Sequence, residues 1–479
     1  MRRLALGFLL LNGLSRAALA APATPEEATR LTALVQAYLP AVVRPALAVA
    51  PRGDAYALTL DLGRAVAPLA GAGVSLTAGD LAATLTPQAD GRWAVRVDGL
   101  PTIGLVADGQ ATSWQADGYT ADGVFDPAMR AFTTLSWSNR GSTTRITGKP
   151  GTSLSATVTG TTTGSSTAVP AGEGLATVTA RSDGKAVAYD MTVPGGSGAS
   201  EAVKMKAAVL GSTFAWERMP TLALDALWRF LAAHSSRAAL IAAQPELKER
   251  LRAVVLPTGP FETGATLEGM AVDTRLGTFA VDRFQERLAS TAGSTPSFSI
   301  SFAGLSLPAG LAPPFAAPLV PTGLDLGLSY GPLDLATAAR GAIDAFDLAA
   351  TPPIPDPRGR ALAAAMVSDA ATLTLAPGSI TLPAMTVKFQ GVARFTKPLP
   401  AASVTVSASG LDRTIAAIRA TGAEDPMGKQ AITLLLAAKA LARAEGADSY
   451  AWEIESLPSG SVTVNGTSLA DFSTPAKRP

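Results

Sequence analysis

The chain's one histidine, His234, closes the apolar helical pattern LALDALWRFLAAH and is followed by two serines. A base beside Ser235 or Ser236 suggests a nucleophile pair, but adjacent residues on a helix point about 100° apart and do not meet. A histidine in a last helical turn complements the partial negative charge of the unpaired carbonyls there. That is the role the sequence predicts for it. There is no cysteine, so thiolate nucleophiles, thiolate metal sites and disulfides are excluded. Glu246 and Glu249 share a helical face, yet Arg250 and Arg252 stand at ion-pair spacing from them, which predicts a charge-paired, solvated face.

The remaining acids look like punctuation. Asp126, Asp356 and Asp425 each precede a proline, as helix and turn caps do. No D-x-D-x-D-G loop and no H-E-x-x-H motif offers metal-ligand spacing. The segment GAEDPMGKQ, residues 422–430, approaches a phosphate loop but is one residue too long and ends in Gln430 where a serine or threonine is needed. No G-x-S-x-G elbow occurs, and S-x-x-K lacks a helical setting. A glycosidase-type pair of acids, assembled in space from distant residues, stays open. No residue is assigned to catalysis, to a cofactor or to a metal, and the reading is of a non-enzymatic protein.

Charged residues make up 16% of the chain, the apolar fraction is 47% and the net charge is +1; soluble proteins carry about 25% charged residues. Lys248, Arg250 and Arg252 are interleaved with Glu246 and Glu249, so no basic face awaits phosphates and nucleic acid is excluded as a partner.

Arg2 and Arg3 open the chain, Leu4 to Leu11 are apolar, and Ala18 and Ala20 complete an A-x-A pattern. These are the three parts of a secretory signal peptide, with cleavage expected after Ala20. Asn12, Ser15 and Arg16 interrupt the run well short of the roughly 20 apolar residues of a membrane span. The twin-arginine alternative lacks a flanking polar motif. Periplasmic location follows, with secretion or an uncleaved anchor as alternatives. No cysteine follows the cleavage point for lipid attachment, so cleavage leaves no membrane span.

The elements divide the chain into a leader (1–20), an N-terminal helix and antiparallel meander (21–210), a helical segment (211–256) and a C-terminal β-rich half with helices (257–479); the halves are free to share one sheet. Thr24-Pro25-Glu26-Glu27 predicts a capped helix, with Leu31, Leu34, Val35, Tyr38 and Leu39 on one stripe and an end by Pro40. Asp90-Gly91, Asp117-Gly118, Asp122-Gly123 and Asp183-Gly184 predict two-residue hairpin loops. The clearest is LATVTARSDGKAVAYDMTV, where Val178 and Ala180 alternate on one arm and Val187 and Tyr189 on the other. The Thr/Ser/Gly-rich stretch from Gly151 to Gly174 alternates as strands do. Helical spacing runs from Trp216 to Val255, helices start at Asp356-Pro357 and at Asp425-Pro426, the latter running to near Gly446, and hairpins close the chain at Ser459-Gly460 and Asn465-Gly466. In the helix after Pro426, Lys429, Lys439 and Arg443 occupy a narrow arc and leave a broad apolar face, suited to a core helix on a sheet or to lipid contact.

GVARFTKPLPAASVTVSASGLDRTIAAIRATG, the long apolar helix, and WEIESLPSGSVTVNGTSLADF together resemble the closing segment of a proteobacterial envelope family of unknown function, family 2125, and more distantly AsmA-like proteins. The shared layout is a strand, a proline-containing turn, a strand, the helix entry Gly410-Leu411-Asp412, a second helix, then strands carrying Gly460 and Asn465-Gly466. The resemblance spans roughly the last 90 residues. It implies an elongated, curved antiparallel sheet with helices against one face and no established activity. The AsmA-like comparison further implies a groove for lipid acyl chains, although the anchor usual in that group is lost if the leader is cleaved.

The expected fold is thus α+β and β-rich, with elongated curved antiparallel sheet or sheets and several amphipathic helices packed on one face. The expected role is an exported, non-enzymatic protein binding lipid or another amphiphile in the cell envelope, with an extracellular structural or adhesive β-protein as the alternative.

Overall fold

The computed structural model describes residues 22–67, 74–107, 110–147, 154–194, 200–255, 259–291, 295–395, 400–422 and 424–469. The leader read in residues 1–20 and the polar chain end lie outside them. Strands account for 53% of the chain, about twice the usual share, and the pairings are antiparallel. The chain divides into two compact units, Met1–Glu262 with Ala336–Ala363, and Thr263–Leu335 with Ala364–Pro479.

The first unit opens on helix α1, Pro25–Gln36. Thr24 caps it by accepting from the Glu27 backbone N–H at 3.2 Å. Only half of the expected reciprocal box forms: Glu27 turns to Arg30, and the Thr24 N–H donates instead to the Tyr56 hydroxyl at 3.2 Å. Strands β1 (Leu47–Arg52) and β2 (Ala55–Asp61) follow, then a short helix α2 (Leu62–Val66) capped by Asp61. Next come β3 (Val74–Ala78), β4 (Asp80–Pro87), β5 (Trp93–Asp98), β6 (Ile103–Ala107), β7 (Gln110–Asp117) and β8 (Thr120–Asp126). The long strands are β9 (Ala131–Thr147), β10 (Leu154–Pro170), β11 (Ala176–Pro194) and β12 (Ser200–Met219).

The short strands are halves of long ones. Residues 131–138 of β9 pair with β8 while residues 141–147 pair with β7. Likewise β5 lies between β4 and β8, and β6 between β3 and β7. The Asp-Gly pairs therefore have different fates. Asp90-Gly91 lies in the turn from β4 to β5, but in a longer loop than the expected two residues, with the Gln88 N–H donating to the Arg92 carbonyl and the Gly91 N–H to the Gln88 carbonyl, and Asp117-Gly118 only joins two collinear strands. Asp122-Gly123 and Asp183-Gly184 lie inside strands, which corrects the expected hairpins. Their glycines serve packing: a Cβ on Gly123 would stand 2.8 Å from Phe132, and one on Gly184 2.8 Å from Val187.

The change of alternation in β11 has a different physical cause from a hairpin. Thr161 faces Lys185 and Thr159 faces Ala188, so β11 carries one extra residue there, and Ala186 takes a φ of 50°. This is a β-bulge, which moves the inward position from even to odd residues along the same strand. Val178 and Ala180 thereby share a face with Val187 and Tyr189.

After β12 come α3 (Thr221–Ala233), α4 (Arg237–Ala242) and α5 (Gln244–Val255). The strand persists to Met219, with Trp216 opposite Val178, so helix begins later than the expected 211. Helix α6 (Leu335–Ala345), which the sequence reading missed, and α7 (Asp356–Met366) return to this unit, where Arg252 of α5 holds Asp344 at 2.5 Å.

The second unit contains most of β13 (Phe261–Thr274), then β14 (Gly277–Thr291), β15 (Thr295–Ala303), β16 (Gly323–Leu333), β17 (Val367–Thr381), β18 (Thr386–Arg394) and β19 (Ala401–Ser409). From β14 to β19 each strand pairs with the next. Helices α8 (Leu411–Gly422) and α9 (Pro426–Ala440) precede β20 (Arg443–Gly446), β21 (Ser449–Ser456), β22 (Val462–Val464) and β23 (Thr467–Ser468). Asp425 caps α9 as expected, accepting from the Met427 and Gly428 N–H groups at 2.8 and 3.3 Å. The helix stops at Ala440, short of the expected Gly446, because β20 takes up the chain. Asn465 and Gly466, with φ of 49° and 78°, make the closing turn, the geometry that favours this dipeptide.

Candidate functional site

The polar residues singled out in the sequence are not brought together. His234 ends α3 with Nδ1 2.9 Å from the Phe230 carbonyl and its ring stacked on Phe230 at 4.2 Å. Ser236 caps α4, accepting from the Ala239 N–H. Glu246 and Glu249 pair with Arg250 and Arg252 at 3.0 and 2.5 Å. Asp126 accepts from the Ala128 and Met129 N–H groups, and Lys429 meets Glu424. Asp356 begins α7. Among the described residues no group of three histidines or acids is placed to hold a metal.

A buried polar contact of the first unit is structural. Asp225 on α3 is buried, accepts from the Tyr38 hydroxyl at 2.6 Å and meets Arg229 at 2.5 Å. Burial, then the bond to Asp225, pushes the Tyr38 phenol above its ordinary range. The Trp228 indole N–H donates to the Tyr38 carbonyl at 3.2 Å. This cluster fixes α3 to the end of α1.

What the strands do assemble is a sorted surface. Opposed residues of an antiparallel ladder share a face. In the first unit the ladders Val158–Tyr189–Met205, Ala156–Met191–Val203 and Thr144–Trp114–Ile103 lie on one face. One residue along, Thr157–Asp190–Lys204 and Ser155–Arg145 lie on the other. At the near end of the apolar face, α1 closes a core: Leu31, Val35, Leu85 and Phe125 are fully buried with Leu58 and Trp93. Farther along, Trp114, Ile146, Val158, Tyr189 and Met205 are only half-buried. In this unit, among the described residues, the main helix contacts on the sheet are those of α1 on β1 and of α2 on β2 to β4.

The second unit repeats the sorting. Phe298–Leu328–Leu375 and Phe302–Leu324–Ile380–Val387–Ala408–Tyr450 lie on one face. Asp325–Ser379–Lys388–Ser407 and Thr405–Glu453 lie on the other, with a hollow of about 440 Å³ beside Pro377 and Gly378. Glu286, opposite Ile300, is one carboxylate on the apolar side. Again one end is covered: Met385, Leu411 and Ile415 form a core with Ile432, Leu435 and Trp452 around it. Phe298 and Leu288 stay 39% and 41% exposed.

A polar latch holds the cover. Lys439 of α9 meets Asp412 of α8 at 2.5 Å, and the Tyr450 hydroxyl donates to the same carboxylate at 2.7 Å. Lys439, then Tyr450, holds the Asp412 carboxyl below its ordinary value, and Asp412 raises Lys439 in return. The Trp452 indole N–H donates to the Ala438 carbonyl at 2.7 Å.

Sequence reasoning missed that the apolar face persists through the bulge, because a shift in parity looks like the end of a strand. The signal was present in the apolar odd positions Val187, Tyr189 and Met191 following the even Ala180. No protein-family model, no curated protein and no solved structure matches the chain, and no described helix is long and apolar enough to cross a membrane.

Proposed function

We propose that this is an exported, non-enzymatic protein of the periplasm that binds lipid or another amphiphile along the apolar faces of its sheets. The observation that carries the reading is the sorting of β9 to β12: Arg145, Asp190, Lys204 and Lys206 stand on one face, while the opposite face, beyond the cover of α1, carries Ile146, Val158, Tyr189 and Met205 with the uncharged Ser142 and Thr144 among them. An apolar face of this kind favours an uncharged chain, such as the acyl part of an amphiphile, since burying unpaired charge against it is costly. Soluble proteins rarely leave large apolar patches without a use. The signal-peptide pattern and the resemblance of the closing segment to envelope proteins support the same setting.

Gentle purification followed by lipid mass spectrometry tests the proposal. Bound phospholipid or fatty acid is expected, displaced when Val158 and Tyr189 are both replaced by glutamate. Repeated recovery of the protein free of any amphiphile contradicts it. The rival, a surface structural or adhesive protein, draws on the exposed Thr159, Thr161, Thr163, Ser165 and Thr167 of β10; cleavage by protease added to intact cells would favour it over the periplasmic reading.

A further inference from the structure

Just short of the bulge, the apolar face of the first unit is hollowed. The ladders Ala121–Trp137–Gly164–Ser182–Ser212 and Gly123–Leu135–Ser166–Ala180–Phe214 cross β8 to β12 side by side on that face. Between Trp137 on one side and Phe214 on the other they leave a depression of about 140 Å³, floored by Ser166, Ala180 and Ser182. Gly164 shapes it: a Cβ there would overlap the Trp137 indole, so the missing side chain lets the ring lie over the strand.

Uncharged hydrogen-bonding groups border the depression. Ser182 and Ser212 bond to each other at 3.1 Å, while the Trp137 N–H and the Ser166 hydroxyl have no hydrogen-bond partner among the described residues. Neither ladder carries a charged residue. Arg181 touches the rim from the next ladder, but its side chain belongs to the other face, where it pairs with Asp183 at 2.7 Å. Toward α1 the face is closed, since Leu135 packs against the core there; in the other direction, past Leu210, it opens onto Val158, Tyr189 and Met205.

Such a depression discriminates between the heads of amphiphiles. An ester carbonyl or a free hydroxyl satisfies the unpaired donors, whereas an ionised carboxylate meets no cation there and its burial is costly. We propose that the Trp137–Phe214 depression seats the glycerol-ester part of an acyl lipid, with the chain running past the bulge along Val158 and Tyr189. This rests on the sheet-face reading and adds to it the chemistry of the head that the face selects.

Calorimetric titration of the full chain with 1-monolauroylglycerol and with laurate, each below its aggregation threshold at neutral pH, compares two heads on chains of one length. The glyceride binds roughly tenfold tighter, as one or two well-made hydrogen bonds allow. Trp137→Phe, which keeps a ring and removes the N–H, weakens the glyceride about three- to tenfold and leaves laurate within about twofold. Gly164→Ala, which pushes the indole off the strand, acts in the same direction. Replacing Val158 and Tyr189 by glutamate weakens both ligands alike. Thermal melting like that of the wild type shows that each variant is folded. 1-Lauroyl-lysophosphatidylglycerol, with the same ester and an added phosphate, identifies the source of the head: binding equal to that of the glyceride means a phospholipid, and weaker binding a neutral glyceride. Laurate binding as tightly as the glyceride, or a preference that survives both substitutions, overturns the proposal and leaves the sheet-face reading standing. Binding of neither glyceride nor laurate overturns both.

Discussion

The two ends of the apolar face in the first unit have the same kind of side chains and different surroundings. Under α1, Leu31, Leu85 and Phe125 are fully buried, whereas beyond the bulge Trp114, Val158 and Tyr189 remain half-buried. Both ends alternate apolar and polar residues as a half-buried sheet should. The apolar pattern continues past the part of the sheet that α1 covers. The apolar face is kept through a register break, where Ala186 takes the left-handed conformation.

The largest expected contrast is in stability. Leu31→Ala costs about 2–5 kcal/mol, the range for a closed aliphatic core, while Val158→Ala, at a site that solvent already reaches, costs less than about 1 kcal/mol. Urea denaturation measures both, and equal losses would mean that the far end is as closed as the near one. Next comes Tyr38→Phe, which removes one partner of buried Asp225 and destabilises by about 1–3 kcal/mol without changing ligand binding by the far face. Ala186→Gly relieves a left-handed alanine and stabilises by about 1 kcal/mol; a loss would mean that the bulge is not under the strain its φ implies.

The smallest effect concerns the latch on the second unit's cover. Because the Asp412 carboxyl lies below its ordinary 3.8, its contribution is present above that value and is lost as pH falls through the lower folded-state value. Hydrogen exchange of α9 therefore rises in acid for the wild type, and Asp412→Asn removes that pH dependence. An unaltered acid response in the variant would place the acid-sensitive group elsewhere.

The local signals for the fold were plain wherever one dipeptide or one cap decides the geometry. Asn465-Gly466 turns, Asp425-Pro426 starts a helix and Thr24-Pro25 starts another, each through contacts within a few residues. Where the outcome depends on neighbouring strands, the same signals misled. Asp183-Gly184 has the composition of a turn, yet the ladders on both sides hold it extended. Helix α6 carries few large apolar residues and is tied in by Asp344, a contact with residues about 90 positions away that no local pattern reveals. The apolar surface was legible only in outline, as low charge and alternation, because face and register are properties of pairing rather than of spacing.

The absence of cysteine permits a direct test of the sorted sheet. A single cysteine at Val158, and separately at its neighbour Thr157, carries an environment-sensitive fluorophore, and phosphatidylglycerol is titrated in below its aggregation threshold. A saturable blue shift at 158 with none at 157 is the predicted result, since the two positions lie on opposite faces. Equal responses at both positions, or no response at 158, would contradict the assignment of the apolar face as the binding surface.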